Sequence, residues 1–528
     1  MSDKGHTPPL MVGMISLGCA KNLVDAEVML GSLLAGGMKI TNDAASADAL
    51  IVNTCSFIGA AQEESVDTIL ESSQVRALSR PGQALIVSGC LPQRYRDKLP
   101  QLLPEVDAFM GVDQVPQVAE IVRGAVARRR EVAPGAIRPR RSKAVVLKSA
   151  KVAAPAPAPV RAVSHRPKYV PDYATPRFRL TPPHLAYVKI AEGCNHPCSF
   201  CTIPRMRGGH RSRPQADVVE EVRGLLRQGV REINLISQDS TYYGMDLRPD
   251  HRGGISSPAK FSAAAGALGE EATTLCTLLR ALNALPGDFW IRLLYTHPAH
   301  WTDELIATIA DCPKVARYVD MPLQHIHDVM LERMRRETDS RYIRELITRI
   351  RQGIPGIALR TTFIVGFPGE TQACFQALLD FIAQTRFEHL GVFAYSREAD
   401  TRAGGMRGQI PHATKQARSR RAMQIQRAVS REHCAALVGR RLNVLVEGKV
   451  DPADAASAEI RSWEHGLIGR TPGRLPEGMA REGWVARAEA HAPDIDGRVY
   501  VRGRVPSGDF AWVRVTGHTD YDLLAEPA

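Results

Sequence analysis

The sequence predicts an α/β protein of three parts: a parallel α/β sheet domain at the N-terminus, a partial (βα) barrel in the middle and a small β-barrel at the end. Three observations predict it. Short apolar runs alternate with helical patterns through most of the 528 residues. Several of these runs end in a cysteine. After one long charged helix, over 412–437, the pattern changes to short β-rich runs.

Residues 10–127 form the first part. The run 11–17 reads as a buried strand and leads into Gly18-Cys19. A second strand, 49–52, is followed by Asn53-Thr54-Cys55, and a third, 84–87, by Ser88-Gly89-Cys90. Helical patterns such as 26–34 and 60–70 lie between them. Strands alternating with helices make a parallel sheet, and such sheets bind ligands beyond the carboxyl ends of their strands. Cys19, Cys55 and Cys90 all stand at that edge, so they can converge although they are distant in sequence. Three structural thiols would not be expected to share it, and the trio reads as a metal site.

The net charge of +12 does not mark the whole chain as a nucleic-acid binder. Residues 128–179 hold fourteen Lys/Arg against two Asp/Glu, while the rest carries 54 of each sign. This segment includes Ala153-Ala154-Pro155-Ala156-Pro157-Ala158-Pro159 and reads as an extended basic linker or insertion. Solubility and spacing are its plain roles; docking on an acidic surface such as ribosomal RNA is the alternative.

Residues 180–434 repeat a βα pattern. Strand-like runs fall at 186–190, 232–236, 290–294, 318–321, 357–365 and 390–393, with helical stretches such as 218–228 and 342–352 between them. A full or partial barrel fits this repeat, with its chemistry on loops at the strand C-terminal ends. The Gly-, Ser- and Ala-rich stretch 250–272 reads as a surface insertion. Over 435–528 the runs 441–446, 498–503 and 512–517 suit a small β-barrel, interrupted by an insertion at 452–491.

The run Cys194-Asn195-His196-Pro197-Cys198-Ser199-Phe200-Cys201 has the spacing C-x3-C-x2-C. It offers three thiolates and no fourth. A structural zinc site wants four closed ligands. A cubic iron–sulfur cluster normally takes four cysteines, so three leave one iron open to a substrate. The zinc reading would recruit His196 or His210 as the fourth ligand, but no second C-x2-C pair follows.

This motif, with Phe200 in its aromatic slot, resembles that of the radical S-adenosylmethionine (SAM) enzymes. More of the chain is similar to one branch, the methylthiotransferases: Gly18-Cys19-Ala20-Lys21-Asn22, Asn53-Thr54-Cys55 and Gly89-Cys90, then Arg292-Leu293-Leu294-Tyr295, Met321-Pro322-Leu323-Gln324-His325 and Phe363 through Thr371. Ala20 stands where the usual motif has proline. The resemblance implies a TIM-like radical SAM barrel and a C-terminal OB-like module, the TRAM domain. It implies two 4Fe–4S clusters facing one cavity. An auxiliary cluster would sit on Cys19, Cys55 and Cys90, and a SAM-coordinating cluster on Cys194, Cys198 and Cys201. Phe200, Gln238, Arg360, Thr362 and Gly366 are the expected cofactor contacts.

The implied reaction puts a methylthio group on the β-carbon of an aspartyl residue of small-subunit ribosomal protein S-twelve. That C–H bond is unactivated and no side-chain base would break it, so radical chemistry from a cofactor is required. A sulfur donor and a low-potential electron donor are the further partners. The alternative is a branch that methylthiolates a tRNA adenosine beside the anticodon. Residues 435–528 hold twelve Lys/Arg and fourteen Asp/Glu, which suits a basic protein substrate better than RNA. The sparse aromatics, 6%, offer no stacking platform for single strands. A non-enzymatic iron–sulfur protein and a zinc-dependent RNA binder are the other rivals. Cys276, Cys312, Cys374 and Cys434 lack partner spacing and read as buried apolar residues. No stretch reaches the ~18 apolar residues of a membrane span and the first residues lack a signal core, so a cytoplasmic site is expected.

Overall fold

Short runs of valine, isoleucine, leucine and alanine form two parallel sheets, because strands buried on both faces need apolar residues throughout. The structure, a computed structural model, describes residues 8–136, 158–248, 251, 253–255, 257–269, 271–450 and 483–528. The chain divides into two compact units. The first holds 1–169, 174–180 and 205–207; the second holds 170–173, 181–204 and 208–528.

The first unit is built on β1 (Met11–Ser16), β2 (Lys39–Ile40), β3 (Ala49–Thr54), β4 (Ala84–Gly89), β5 (Ala108–Met110) and β6 (Val160–Ala162). Their order is β2-β1-β3-β4-β5-β6, all parallel. Every residue of β3 and β4 is buried. Ala49, Ile51, Ala84 and Ile86 face Met29 and Leu33 of helix Ala20–Ala35 and Val118 and Val122 of helix Val118–Ala136. The alternate residues Leu50, Val52, Leu85 and Val87 face Ile69 of helix Gly59–Ser79. Each large side chain so buried is worth roughly 1.5–3 kcal/mol.

The expected linker over 128–179 is corrected by this unit. Helix Val118–Ala136 runs past 127, β6 adds an edge strand, and Arg177 pairs with the buried Glu27. Arg128 pairs with the buried Asp107. Part of the positive charge is therefore spent locally, which a count along the sequence does not reveal. The Pro/Ala-rich core, up to residue 157, lies outside the described residues.

The second unit opens with β7 (Leu185–Lys189) and a small antiparallel ribbon of β8 (Ala191–Glu192) and β9 (Arg211–Ser212). Then come β10 (Glu232–Ile236), β11 (Trp290–Leu293), β12 (Val315–Asp320), β13 (Ala358–Val365) and β14 (His389–Ala394). The order β14-β13-β12-β11-β10-β7 is a six-stranded parallel sheet. Ile233, Leu235, Ile291, Leu293, Val319, Leu359, Phe363, Leu390 and Val392 pack in its apolar core. The alternate positions are polar and buried: Glu232, Asn234, Arg292, Asp320, Arg360 and Thr362.

After helix His412–Ala436, strands β15 (Arg441–Lys449), β16 (Gly483–Ala488), β17 (Val499–Arg502), β18 (Phe510–His518) and β19 (Leu523–Pro527) close a barrel in the order β15-β16-β17-β19-β18. β16 falls inside the insertion expected at 452–491, so the interruption is shorter; residues 451–482 lie outside the described residues. The stretch 250–272 carries helix Pro258–Gly266, whose Phe261 is buried against His300 rather than lying on the surface. Among the described residues no helix is long and apolar enough to cross a membrane.

Candidate metal centres

In the first unit the cysteines occupy the ends of three neighbouring strands. Cys19 follows β1 and caps helix Ala20–Ala35, Cys55 directly follows β3, and Cys90 directly follows β4. Two glycines permit this crowding. Gly18 has φ +87°, and a Cβ there would lie 2.7 Å from Cys55 Cβ. Gly89 has φ +94°, and its Cβ would lie 2.6 Å from Asn53 Oδ1 and the Thr54 carbonyl. Both conformations favour glycine.

Asn22 ties the ends of β1 and β3 together, and its Oδ1 accepts from Cys90 Sγ at the end of β4 at 3.9 Å. Its side-chain nitrogen donates to the carbonyls of Leu17 (3.0 Å) and Thr54 (2.8 Å), and its own carbonyl accepts from Asn53 Nδ2 at 2.9 Å. Arg207, 2% exposed, donates from Nη2 to Asn22 Oδ1 (2.9 Å), Asp25 Oδ2 (3.1 Å) and Cys90 Sγ (3.5 Å). Ser65 completes the frame, accepting from the Cys55 amide at 3.1 Å.

In the second unit each sulfur of the other trio receives one donor among the described residues. The His196 amide donates to Cys194 Sγ (3.5 Å), the Ile203 amide to Cys201 Sγ (3.4 Å), and Arg336 Nη1 to Cys198 Sγ (3.6 Å). The loop is gripped at Ser199, whose amide donates to the Met334 carbonyl (3.0 Å) and whose hydroxyl donates to the Arg333 carbonyl (2.8 Å). Arg333 in turn donates from Nε to the Pro368 carbonyl at 3.0 Å. Four non-glycine residues in left-handed conformation lie between β11 and β13: Tyr295 and Gln324 in the loops after β11 and β12, and Arg335 and Glu337 just past helix Asp328–Met334. Such strain collects at functional sites.

Both trios fit iron–sulfur clusters by the chemistry of their donors. Burial pushes Cys201 up to about 12, with Cys198 adding, and raises Cys194 well above its ordinary value, with Asp239 and Cys201 adding. Bare thiolates are thus disfavoured there, and a bound cation is what would hold them deprotonated. The N–H groups aimed at the sulfurs are the kind that tune a cluster.

Each histidine of the zinc reading has its Nε2 turned to a partner other than the cysteines. His196 Nε2 bonds Asp239 Oδ2 at 2.8 Å, and His210 Nε2 bonds Ser212 Oγ at 3.3 Å. Burial brings His196 down to about 4, against the pull of Asp239. His196, His297 and His300 bring nitrogens within 4.8 Å of one another, as a metal site would. Their geometry is a hydrogen-bonded stack instead. The His196 and His297 rings lie 3.7 Å apart at 16°, so their in-plane lone pairs run side by side. Both nitrogens of His300 face acceptors, Asp239 Oδ2 (2.8 Å) and the Ile255 carbonyl (2.6 Å). Asp239 is held well below its ordinary range: burial pushes it up, but His300 and His196 outweigh that.

The expected cofactor contacts separate into two groups. Phe200 packs beside Phe367, Tyr395 and Met330. Gln238, past the end of β10, donates to Glu192 Oε1 at 2.7 Å, and its own Oε1 is buried with no partner among the described residues, ready for a donor. Gly366 has φ +71° and lies under Lys415, whose Cγ a Cβ would meet at 2.3 Å; its amide donates to Glu370 Oε2. The expectation for Arg360 is corrected. Its Nε meets Asp496 Oδ1 at 3.3 Å and its Nη1 meets Asp320 Oδ1 at 3.4 Å. It belongs to a buried charge layer with Glu232, Arg292 and Arg487, where residues 487–496 of the C-terminal part meet the sheet. Thr362 lies beside it, 3.5 Å from Arg360 Nη1. Strand position alone does not separate this layer from the loop end. His325 is structural: its Nδ1 accepts two backbone amides and its Nε2 bonds Glu370. Cys276, Cys312, Cys374 and Cys434 are buried, as expected.

Sequence reasoning missed Arg207, Arg336, Asp239 and Asn22 as parts of these sites. Only Asn22 had a signal, its place in Gly18-Cys19-Ala20-Lys21-Asn22.

Comparison with known proteins agrees with this layout. Residues 11–111 match the family described as "Uncharacterized protein family UPF0004", 188–382 the radical SAM superfamily and 468–527 the TRAM domain. The chain is 52% identical over 524 residues to the ribosomal protein uS12 methylthiotransferase RimO of Opitutus terrae, covering 98% of this chain and 97% of that one. It is 47% identical to the protein of the same name from Akkermansia muciniphila (98% and 100% covered) and 41% to that of Symbiobacterium thermophilum (98% and 91%). Among solved structures, the radical SAM methyltransferase TsrM of Kitasatospora setae aligns at TM-score 0.47 and 15% identity, covering 75% of this chain and 74% of that one. The chain belongs to the RimO family of radical SAM methylthiotransferases.

Proposed function

We propose that this protein adds a methylthio group to the β-carbon of an aspartyl residue in ribosomal protein uS12. The observation that carries the reading is the pair of three-cysteine sites, each at the loop end of its own parallel sheet, in a chain alike over its whole length to the uS12 enzymes. Cys19, Cys55 and Cys90 would hold one 4Fe–4S cluster, and Cys194, Cys198 and Cys201 the other. When bound, the clusters and SAM supply the radical and the sulfur transfer that no side chain can.

The chain's own residues position and shield. Asn22 fixes the spacing of the first trio, and the Ser199 contacts fix the second loop. Phe200 with Phe367 and Tyr395 makes an apolar wall beside that loop. Such a wall suits an adenine ring and keeps water from the reacting atoms. Gln238 Oε1 is placed to accept from an amino group. A low-potential reductant, a sulfur donor and a cytoplasmic site complete the proposal.

The test is mass spectrometry of uS12 incubated with anaerobically reconstituted protein, SAM, sulfide and reductant. One aspartate should gain the mass of a methylthio group less that of the hydrogen it replaces. If uS12 stays unchanged while a tRNA adenosine gains that mass, the tRNA reading replaces this one.

A further inference from the structure

Arg336 stands apart from the other buried arginines of the second unit. It is 5% exposed. Nη1 donates to Cys198 Sγ at 3.6 Å and Nη2 to the Pro322 carbonyl at 2.6 Å. Its Nε is buried without an acceptor among the described residues. Arg292, Arg360 and Arg487 each meet a buried carboxylate, but among the described residues none pairs with Arg336. A buried cation without a counter-charge is costly, and a fold keeps one where something negative will face it. The backbone points the same way. Arg335 and Glu337, on either side, have φ 57° and 55°, strained for residues with a Cβ. The segment is held in that shape by Ser199 of the cysteine loop, which bonds the carbonyls of Arg333 and Met334.

We propose that Arg336 is a positioning residue whose charge, delivered at the Cys198 sulfur, favours the reduced form of the cluster held by Cys194, Cys198 and Cys201. Cluster potentials respond to net charge, to hydrogen bonds on the sulfurs and to burial. Reduction adds one negative charge to a partly buried site. A fixed guanidinium beside one sulfur stabilises that added charge. The donors to Cys194 and Cys201 are backbone amides, which only proline at 196 or 203 would remove. Among the described residues Arg336 is the one side chain that donates to this trio, so it is where the potential is set by sequence. The inference rests on the iron–sulfur reading of the trio given above.

The experiment is a mediated redox titration of the reconstituted full chain, followed by electron paramagnetic resonance. The signal that SAM perturbs identifies this cluster; the other signal is the internal control. Arg336→Gln is expected to keep full iron loading and to lower the reduced-to-oxidised ratio of the SAM-perturbed signal about tenfold at a fixed potential. That is a shift of about 59 mV to lower potential for a one-electron couple. Arg336→Lys should restore most of it, and the control signal should not move. If Arg336→Gln loses this cluster's iron and Arg336→Lys retains it, the dependence on charge still stands. An unmoved midpoint in iron-loaded Arg336→Gln, or equal loss of iron in both variants, overturns the proposal and leaves Arg336 a packing residue on Pro322. Wild-type protein that takes up no iron would instead sink the underlying reading.

Discussion

The guanidinium of Arg207 lies 3.5 Å from the sulfur of Cys90, and the same nitrogen holds Asn22 and Asp25. One buried cation thus braces both Cys90, a proposed iron ligand, and the asparagine that spaces the strand ends. Arg207→Met keeps the bulk and removes the donors. The loss of bonds to buried polar partners should cost about 1–3 kcal/mol. Thermal unfolding should show it, and iron bound by protein whose Cys194, Cys198 and Cys201 are alanine should fall. Unchanged iron in that background would deny Arg207 any role at the first trio.

The two trios should separate by substitution. Cys198→Ala is expected to abolish reductive cleavage of SAM, read as 5′-deoxyadenosine. Cys55→Ala should leave that cleavage in place and abolish the methylthio product on uS12. Loss of both activities in Cys55→Ala protein that is folded and retains the other cluster would contradict two independent sites.

Gly18 and Gly37 both have positive φ, +87° and +78°, but their surroundings differ. A Cβ at Gly37 meets nothing within 4 Å, whereas one at Gly18 meets Cys55. Gly37→Ala should cost only the backbone term, about 1–2 kcal/mol, with normal iron uptake at the first trio. Gly18→Ala must also displace Cys55 and should lose that iron. Equal iron content in the two variants would show that the crowding at Cys55 is relieved without consequence.

Much of this was legible because period and punctuation agree. β10 runs over Glu232–Ile236 as its apolar pattern predicts, and the cysteines stand where each strand must stop. Helix Ala20–Ala35 begins earlier than the pattern over 26–34 suggests. Its start is polar because Asn22 and Asp25 serve the site, and both are buried, as is Lys21. Arg360 was misread for a related reason. On β13 it shares a face with Thr362, and the partner that claims it, Asp496, is more than a hundred residues away in sequence. Arg207 and Arg336 carry no local pattern, since a buried arginine is defined by what folds around it. β16 was hidden because Gly483–Ala488 pairs with β15 across a long interruption.

The layer that claimed Arg360 also makes the fold acid-sensitive. His491 is buried and brought down to about 3, by burial first and then by the charge of His389. Its ordinary value is 6.5, so below that pH the unfolded chain binds a proton that the folded chain refuses. Stability therefore falls as pH drops from 6.5 towards about 3, by up to about 1.4 kcal/mol per unit. Asp496 acts in the same direction lower down. Burial pushes its carboxyl up, but His389 and Arg360 hold it near 2, below the ordinary 3.8. Its contribution is complete above 3.8 and is lost as pH falls towards 2. Urea midpoints should decline between about pH 7 and pH 5, before carboxylates titrate in the unfolded chain; His491→Gln should make that decline shallower, while His196 and His297, also buried and held below 6.5, keep part of it. A midpoint in the parent protein that stays level across the same interval would show that His491 takes up its proton without unfolding.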